Sequence, residues 1–225
     1  MKIIVFGANG GLGQWVWKMA IDGGHEVVAF VRTPSKLDRA DPRFSSLQVV
    51  SGDVMDAEAV RAASAGCEAA INCTSPAGGT SAPDMARSIV PNAAQAGVQA
   101  FYMVGGIGAL WAPGTDRTIL IQDWDDEVAM KQYGLSPTIP REMVRRMTKG
   151  HLESMAFLES TGLPHAFVCP GAMEEGPATD TRVVTLDELG GKSAIRVSFG
   201  NIAHVIVEDL GRGELLGHRV CVSAT

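Results

Sequence analysis

Three glycines near the start of the chain have the spacing of a phosphate-binding turn. Gly7, Gly10 and Gly13 stand in the segment GANGGLG, directly after an apolar run at residues 3–6. In such a turn the first glycine bends the chain, the second lets the backbone approach a pyrophosphate, and the third allows the next helix to pack closely on the strand. Unpaired N–H groups at the start of that helix bind the phosphates. The residues expected at the pyrophosphate are Gly7, Asn9, Gly10, Gly11, Leu12 and Gly13.

The end of the second predicted strand indicates which dinucleotide fits. NAD sites usually have a carboxylate there, which binds the 2′-hydroxyl of the adenine ribose. This chain has Arg32, Thr33 and Lys36 at that point and no acid at the strand end. Because an arginine can stack on adenine and bind a 2′-phosphate, the sequence favours NADP over NAD. The alternative is that Arg32 and Lys36 are solvated surface charges.

Further candidate cofactor residues follow the third, fourth and fifth predicted strands. They are Asp53 and Val54, then Cys73 and Thr74, then Gly105. In open α/β sheets, ligands bind in the crevice at the carboxyl ends of the strands. We therefore expect these residues to contact the cofactor, with Asp53 accepting a hydrogen bond from the adenine amino group.

The elements that position these residues follow from the hydrophobic pattern. Apolar runs predict strands at residues 3–6, 27–31, 47–50, 69–73, 101–104, 166–169 and 219–222. Helical patterns occur at residues 12–22, 57–65, 83–96, 142–160 and 201–210. Alternating strands and helices predict an α/β protein with a Rossmann-type, doubly wound parallel sheet. The almost wholly apolar strands agree with a sheet that is covered on both faces.

The length of 225 residues suits one NAD(P)-binding domain that covers residues 1–225. Two segments interrupt the alternation, and we interpret residues 107–140 and 172–199 as small lid segments over the substrate. Within the second, β-like stretches at residues 181–186 and 194–199 predict a hairpin lid. Side chains in these segments could stack on a planar substrate, or pack the lid onto the domain. The candidates are Trp111, Trp124, Tyr133 and Met173.

Composition and charge exclude several classes of partner. The formal net charge of −6 argues against nucleic-acid binding, which usually needs a basic excess. No stretch approaches the roughly 18–20 apolar residues of a membrane span, and the first residues lack a secretion signal. The four cysteines form no CxxC pair, so we expect buried thiols and no metal site. We expect a cytoplasmic protein with a small-molecule substrate; whether it forms a homodimer stays open.

Taken together, these motifs resemble the atypical short-chain dehydrogenase/reductases. The nearest resemblance is to NAD(P)H-binding proteins related to NmrA and to the biliverdin-IXβ/flavin reductases. It rests on GANGGLG, HEVVAFVRTPSKL, GDVMDAEAV, FYMVGGIGAL and KGHLESMAFLESTGLPHAFVCPG. The resemblance implies that Lys149 corresponds to the lysine of the family's Tyr-x-x-x-Lys pair. It also implies that Pro170 and Gly171 form the loop beside the nicotinamide.

The chain departs from this pattern at two catalytic positions. Arg145 stands where the family has the tyrosine, and Gly105 and Gly106 stand where it has the serine. Arginine stays protonated and cannot act as a general base, which argues against ordinary alcohol dehydrogenation. The resemblance implies that Lys149 holds the nicotinamide ribose. Arg145 would bind an anionic group of the substrate.

The helical spacing around Lys149 also allows Lys149 and Arg145 to be surface charges with no role in the site. Arg145 and Glu153 lie four residues on either side of Lys149, so the three share one face and could form a solvated charge row. His151 is two residues further along, rotated by about 200° from Lys149. If Lys149 faces the cofactor, His151 is predicted to face away from it.

The function predicted on these grounds is an NADPH-dependent reductase. It would transfer hydride to a small planar acceptor such as a flavin, a quinone or a conjugated carbonyl, because such transfer needs positioning more than a protein acid. One alternative is a non-catalytic NADP sensor of the NmrA type, which the missing serine and tyrosine favour. Another is an enzyme that uses NADP transiently for isomerisation or epimerisation.

Overall fold

A computed structural model describes residues 1–76, 79–127, 141–184 and 196–224 of the chain. Its strands are β1 (Lys2–Phe6), β2 (Glu26–Val31), β3 (Leu47–Ser51), β4 (Ala69–Asn72), β5 (Ala100–Val104), β6 (His165–Val168), β7 (Met173–Glu174), β8 (Thr181–Val184), β9 (Val197–Ser198) and β10 (Arg219–Ala224). Eight of them form one sheet in the order β3-β2-β1-β4-β5-β6-β10-β8. The seven strands from β3 to β10 pair in parallel, and β8 joins β10 antiparallel.

Helices cover both faces of this sheet. They are α1 (Gly11–Asp22), α2 (Ala57–Ser64), α3 (Ala82–Gln95), α4 (Arg141–Ser160) and α5 (Phe199–Asp209). One hydrophobic core joins the sheet to α2, α3 and α4, and includes Phe30 and Ile89. The other joins it to α1 and α5, and includes Trp17 and Ile206. This arrangement confirms the predicted Rossmann-type α/β fold.

The structure corrects the predicted hairpin lid. β9 pairs in parallel with β7 through Met173 and Val197, whereas β8 pairs with the last strand through Val184 and Cys221. The two β-like stretches therefore have different partners, and the second gives way to α5 at Phe199. A β-like pattern indicates a strand but carries no information about which strand lies beside it, and that is why the sequence prediction was wrong.

Among the described residues, no helix is long and apolar enough to cross a membrane.

Candidate cofactor and active site

The glycine turn after β1 has the close contacts that its residue types require. Gly7 has a φ of +76°, and a Cβ atom there would lie 2.8 Å from the carbonyl oxygen of Cys73. A Cβ on Gly13 would overlap the carbonyl oxygen of Gly7. The turn is closed by a hydrogen bond from Gly10 N to Gly7 O, at 2.9 Å. Any side chain at position 7 or 13 would therefore disrupt this backbone.

The start of α1 is suited to hold an anion. Gly10 is the N-cap residue, no side chain caps the helix, and no acidic residue stands in its first turn. The first N–H groups of a helix have no partner inside the helix, and they carry its partial positive charge. An uncapped first turn beside a glycine turn fits a pyrophosphate, as predicted for this segment.

A cavity of about 300 Å³ opens beside this turn, at the carboxyl ends of β1 to β4. Its lining includes residues that the sequence predicts as cofactor contacts: Gly7, Asn9, Gly10, Arg32, Thr33, Lys36, Asp53, Val54, Cys73 and Thr74. Among the remaining predicted residues, Leu12 and Gly13 are buried under the turn. Gly11 begins α1 and contributes to a neighbouring cavity. Most of the predicted cofactor residues thus line or adjoin this cavity, whereas Gly105, Lys149 and Pro170 do not line it.

Sequence analysis missed several lining residues, including Phe30, Thr80 and Met85. Phe30 lies within β2 and also packs in the core, while Met85 belongs to α3. Neither stands at a strand end, so the rule that located the other candidates could not find them.

Basic residues dominate the cavity next to β2. Arg32, Thr33 and Lys36 are all exposed there, and the Asn9 side-chain amide donates to Thr33 O at 3.3 Å. The nearest acid in sequence, Asp38, is an ion-pair partner of Lys18 at 2.9 Å. That lysine lowers the pKa of Asp38 by hydrogen bonding. The strand end therefore offers two cations and no carboxylate to a ribose substituent.

The loop after β4 has fixed polar groups. The Asn72 side-chain oxygen accepts hydrogen bonds from Thr74 N at 3.1 Å and from Thr74 Oγ1 at 2.7 Å. Burial raises the pKa of the Cys73 thiol to about 12, so this cysteine is protonated at neutral pH. Asp53, across the cavity, accepts from Met55 N at 2.9 Å, which stabilises its own turn.

Gly105 and Pro170 follow the neighbouring strands β5 and β6, and backbone hydrogen bonds hold the two strand ends together. Gly105 N donates to Val168 O at 2.7 Å, and Ile107 N donates to Pro170 O at 2.9 Å. A Cβ on Gly105 would collide with the ring of Phe167. The structure therefore has no room at position 105 for the serine that short-chain dehydrogenase/reductases have at the end of this strand.

Lys149 and Arg145 form the solvated charge row that was the alternative interpretation. The Lys149 side chain is 79% exposed, and its Nζ lies 3.9 Å from Glu153 Oε1. The Arg145 side chain is 52% exposed and pairs with Asp123 at 3.1 Å. Neither side chain lines the cavity of the glycine turn.

The His151 ring lies against the end of β5, and it does not line the cavity of the glycine turn. Two of its ring atoms, Cε1 and Nδ1, lie 3.1 Å from the position that a Cβ on Gly106 would occupy. The rotation of about 200° between Lys149 and His151 holds, but Lys149 is the residue that faces solvent. His151 therefore lies at the end of β5, beside Gly106.

The predicted substrate residues are dispersed. Trp124 is 8% exposed and packs in the core, which agrees with the alternative that this segment packs onto the domain. Trp111 lies with its ring centre 5.6 Å from the guanidinium carbon of Arg219. Met173 begins β7 and is 44% exposed, and Tyr133 lies outside the described residues.

The glycine turn, the uncapped helix and the parallel sheet together define an NAD(P)-binding Rossmann-fold protein. In the described ranges, no group of three or more metal-ligating side chains is close enough to hold a metal ion. A model of the NAD(P)H-binding family matches residues 7–212, and the chain belongs to that family.

Two curated relatives are reductases of larger size. Cinnamoyl-CoA reductase 1 of Arabidopsis thaliana is 27% identical over 145 residues, which cover 55% of this chain and 40% of the relative. Cinnamoyl-CoA reductase 1 of Oryza sativa subsp. japonica is 30% identical over 123 residues, covering 48% and 35%. The chain thus aligns with less than half the length of these two relatives.

Solved structures support the fold. A Streptococcus pneumoniae protein assigned as an NADH-flavin reductase has a TM-score of 0.77 at 23% identity, with all of both chains covered. The anaerobillin reductase ChuY of Escherichia coli O157:H7 has a TM-score of 0.72 at 21% identity, covering 99% of this chain and 97% of ChuY. At these identities the similarity establishes a common architecture.

Proposed function

We propose that the protein is an NADPH-dependent reductase that transfers hydride to a small planar acceptor. The observation that carries this proposal is the cavity in which the glycine turn, Arg32 and Lys36 converge without a carboxylate at the end of β2. Membership of the NAD(P)H-binding family supports a nicotinamide cofactor. The reductases among its relatives support reduction as the reaction.

The residues present fit NADP at both of its anionic groups. The pyrophosphate would bind to the N–H groups of the glycine turn and of the first turn of α1. The 2′-phosphate would bind to Arg32 and Lys36, which both line the cavity. The cofactor supplies hydride chemistry when bound, and the protein supplies position and electrostatics.

The acceptor would lie towards the ends of β5 and β6, away from the adenine half of the cavity. The protein's contribution there is to orient the acceptor and exclude water, because Gly105 and Arg145 replace the usual serine and tyrosine. A flavin, a quinone or a conjugated carbonyl suits such a site, since water can complete the proton balance after hydride has been transferred.

Rapid-mixing absorbance at the NADPH band tests the proposal directly. Purified protein would be mixed with NADPH or NADH and with flavin mononucleotide, 2-methyl-1,4-naphthoquinone or cinnamaldehyde in turn. We expect loss of the band that depends on both protein and acceptor, and that is faster with NADPH. Tight NADPH binding without loss for any acceptor would refute the reductase and favour the sensor or a redox-neutral enzyme.

A further inference from the structure

Lys36 lies between two cavities. It lines the cavity of the glycine turn and also a neighbouring cavity of about 780 Å³ along α1. Three carboxylates line this neighbouring cavity, those of Asp22, Asp38 and Glu175. A carboxylate that paired with Lys36 would compete with a 2′-phosphate for the same cation, so the partners of these acids matter for cofactor recognition. Glu175 accepts a hydrogen bond from Trp15 Nε1 at 2.7 Å, which leaves two acids to consider.

Asp38 is the acid best placed to pair with Lys36. Leu37, between the two, has an extended backbone with a φ of −71° and a ψ of 143°, and its side chain is 4% exposed. Because side chains alternate along an extended backbone, Lys36 and Asp38 both face away from the core, on the same side of the chain. In the absence of another partner, their opposite charges would attract one another.

Lys18 on α1 holds the Asp38 carboxylate instead. Its Nζ lies 2.9 Å from Asp38 Oδ2 and 3.1 Å from Asp41 Oδ2. The Lys18 side chain is 19% exposed, so this ion pair is partly shielded from water. Within the part of the chain that the structure describes, Lys36 forms no ion pair. Lys36 is thus available to an anionic ligand although a carboxylate stands two residues away.

Arg43 binds Asp22 and Asp41, the other acids beside Lys18. Its guanidinium donates to Asp41 through Nε at 2.7 Å and Nη2 at 2.8 Å, and to Asp22 through Nη1 at 2.7 Å. Paired hydrogen bonds between arginine and a carboxylate are strong and directional. The segment after Lys36 is therefore tied to α1 at two points, Lys18 and Asp22, the last residue of the helix.

We propose that Lys18 is a positioning residue for cofactor preference, which holds the Asp38 carboxylate and so leaves Lys36 free to bind the 2′-phosphate of NADPH. The inference rests on the proposed use of NADPH. It extends recognition to a residue that does not line the cavity of the glycine turn. Since the first turn of α1 would bind the pyrophosphate, one helix would contribute to both phosphate sites.

Fluorescence titration with NADPH and with NADH provides the first test. In Lys18→Met, Asp38 would pair with Lys36, and the Kd for NADPH should rise about fivefold, an effect typical of an exposed ion pair. The Kd for NADH should stay unchanged, because NADH has no 2′-phosphate. Lys18→Arg keeps a cation at this position and should retain the wild-type preference.

A double substitution separates this electrostatic role from a purely structural one. Lys18→Met combined with Asp38→Asn removes both charges of the pair, so the local net charge equals that of the wild type and no carboxylate competes for Lys36. The preference for NADPH should return. A structural anchor would not be restored in this way, because the ion pair to α1 is still absent.

Arg212→Met is the matched control for the loss of a cation. Arg212 pairs with Glu208 at 3.1 Å, and it lines neither cavity. This substitution removes one positive charge from another exposed ion pair, as Lys18→Met does from its own. It should leave the Kd values of both cofactors unchanged.

The 2′-phosphate itself provides a readout that is independent of turnover. A phosphate monoester has its second pKa at about 6, and a nearby cation lowers that pKa. In ³¹P NMR spectra of bound NADP⁺, the pKa of the 2′-phosphate should be higher in Lys18→Met than in the wild type. It should return to the wild-type value in the double variant.

The outcomes separate this inference from the proposed function. A wild type that binds NADH as tightly as NADPH would refute the use of NADPH, and with it this role of Lys18. A wild type that prefers NADPH, together with an unchanged preference in Lys18→Met, would overturn the inference alone. Equal loss of affinity for both cofactors, or no recovery in the double variant, would make Lys18 a structural anchor and overturn the inference as well.

Discussion

Replacement of Arg32 should change which nicotinamide cofactor the protein prefers. The side chain is exposed at the edge of the cavity, where its attraction to a 2′-phosphate is weakened by solvent. A charge-assisted hydrogen bond to phosphate contributes about 1.5–3 kcal/mol, and exposure favours the lower end of that range. Arg32→Ala should therefore raise the Kd for NADPH by about tenfold. NADH lacks the 2′-phosphate, so its Kd should change little.

A charge reversal gives a larger effect and a sharper assay. In Arg32→Asp, repulsion replaces attraction, so NADPH should bind about 100-fold more weakly than to the wild type. The new carboxylate can accept from a ribose 2′-hydroxyl, and NADH should consequently bind more tightly. Both constants are measured by fluorescence titration of the reduced cofactors at low and high salt. The preference of the wild type for NADPH should shrink as ionic strength rises.

Arg39 provides a matched control for the Arg32 substitutions. Arg39→Ala removes an exposed arginine whose guanidinium carbon lies 5.9 Å from the ring centre of Phe44 and which does not line the cavity. It should leave both cofactor affinities unchanged. If Arg32→Ala weakened NADH and NADPH equally, Arg32 would not recognise the 2′-phosphate. A wild type that prefers NADH would refute the cofactor assignment itself.

Three further substitutions test the framework around the site. Gly13→Ala should abolish cofactor binding and lower the free energy of unfolding by about 1–3 kcal/mol, because the added methyl group would overlap the backbone at Gly7. A cofactor titration measures the first effect, and urea unfolding measures the second. Tyr102→Phe should lower the free energy of unfolding by about 1–2 kcal/mol in the same assay, since the buried Tyr102 hydroxyl donates to Asp209 at 2.9 Å. Arg43 lowers the pKa of Asp41 strongly, so Asp41→Asn should destabilise the protein at pH 7. That difference should shrink as the pH falls below about 4, where the carboxylate of the unfolded chain becomes protonated.

The glycine turn and the cavity beside it could be predicted from the sequence because the turn depends on backbone. Gly7 and Gly13 are required by a positive φ and by close contacts, so residue type alone reveals the chain path there. Arg32 and Lys36 were located because parallel strands all end at one edge. The pairing of β8 and β9 could not be predicted, since an alternating pattern does not specify the neighbouring strand.

The positions of Lys149 and His151 depend instead on the rotation of α4 about its axis. The family resemblance predicts that Lys149 faces the cofactor, whereas the structure gives its side chain as 79% exposed. Each residue turns the helix by about 100°, so the exposed position of Lys149 brings His151 against the end of β5. The apolar phase of α4 gives the correct rotation: Met155 and Leu158 are buried, and His151 lies four residues before Met155. Thr148 is buried one further turn back. For a helix of this kind, the stripe of buried residues is thus a firmer guide to the rotation than a single motif residue, because packing against the sheet sets that rotation.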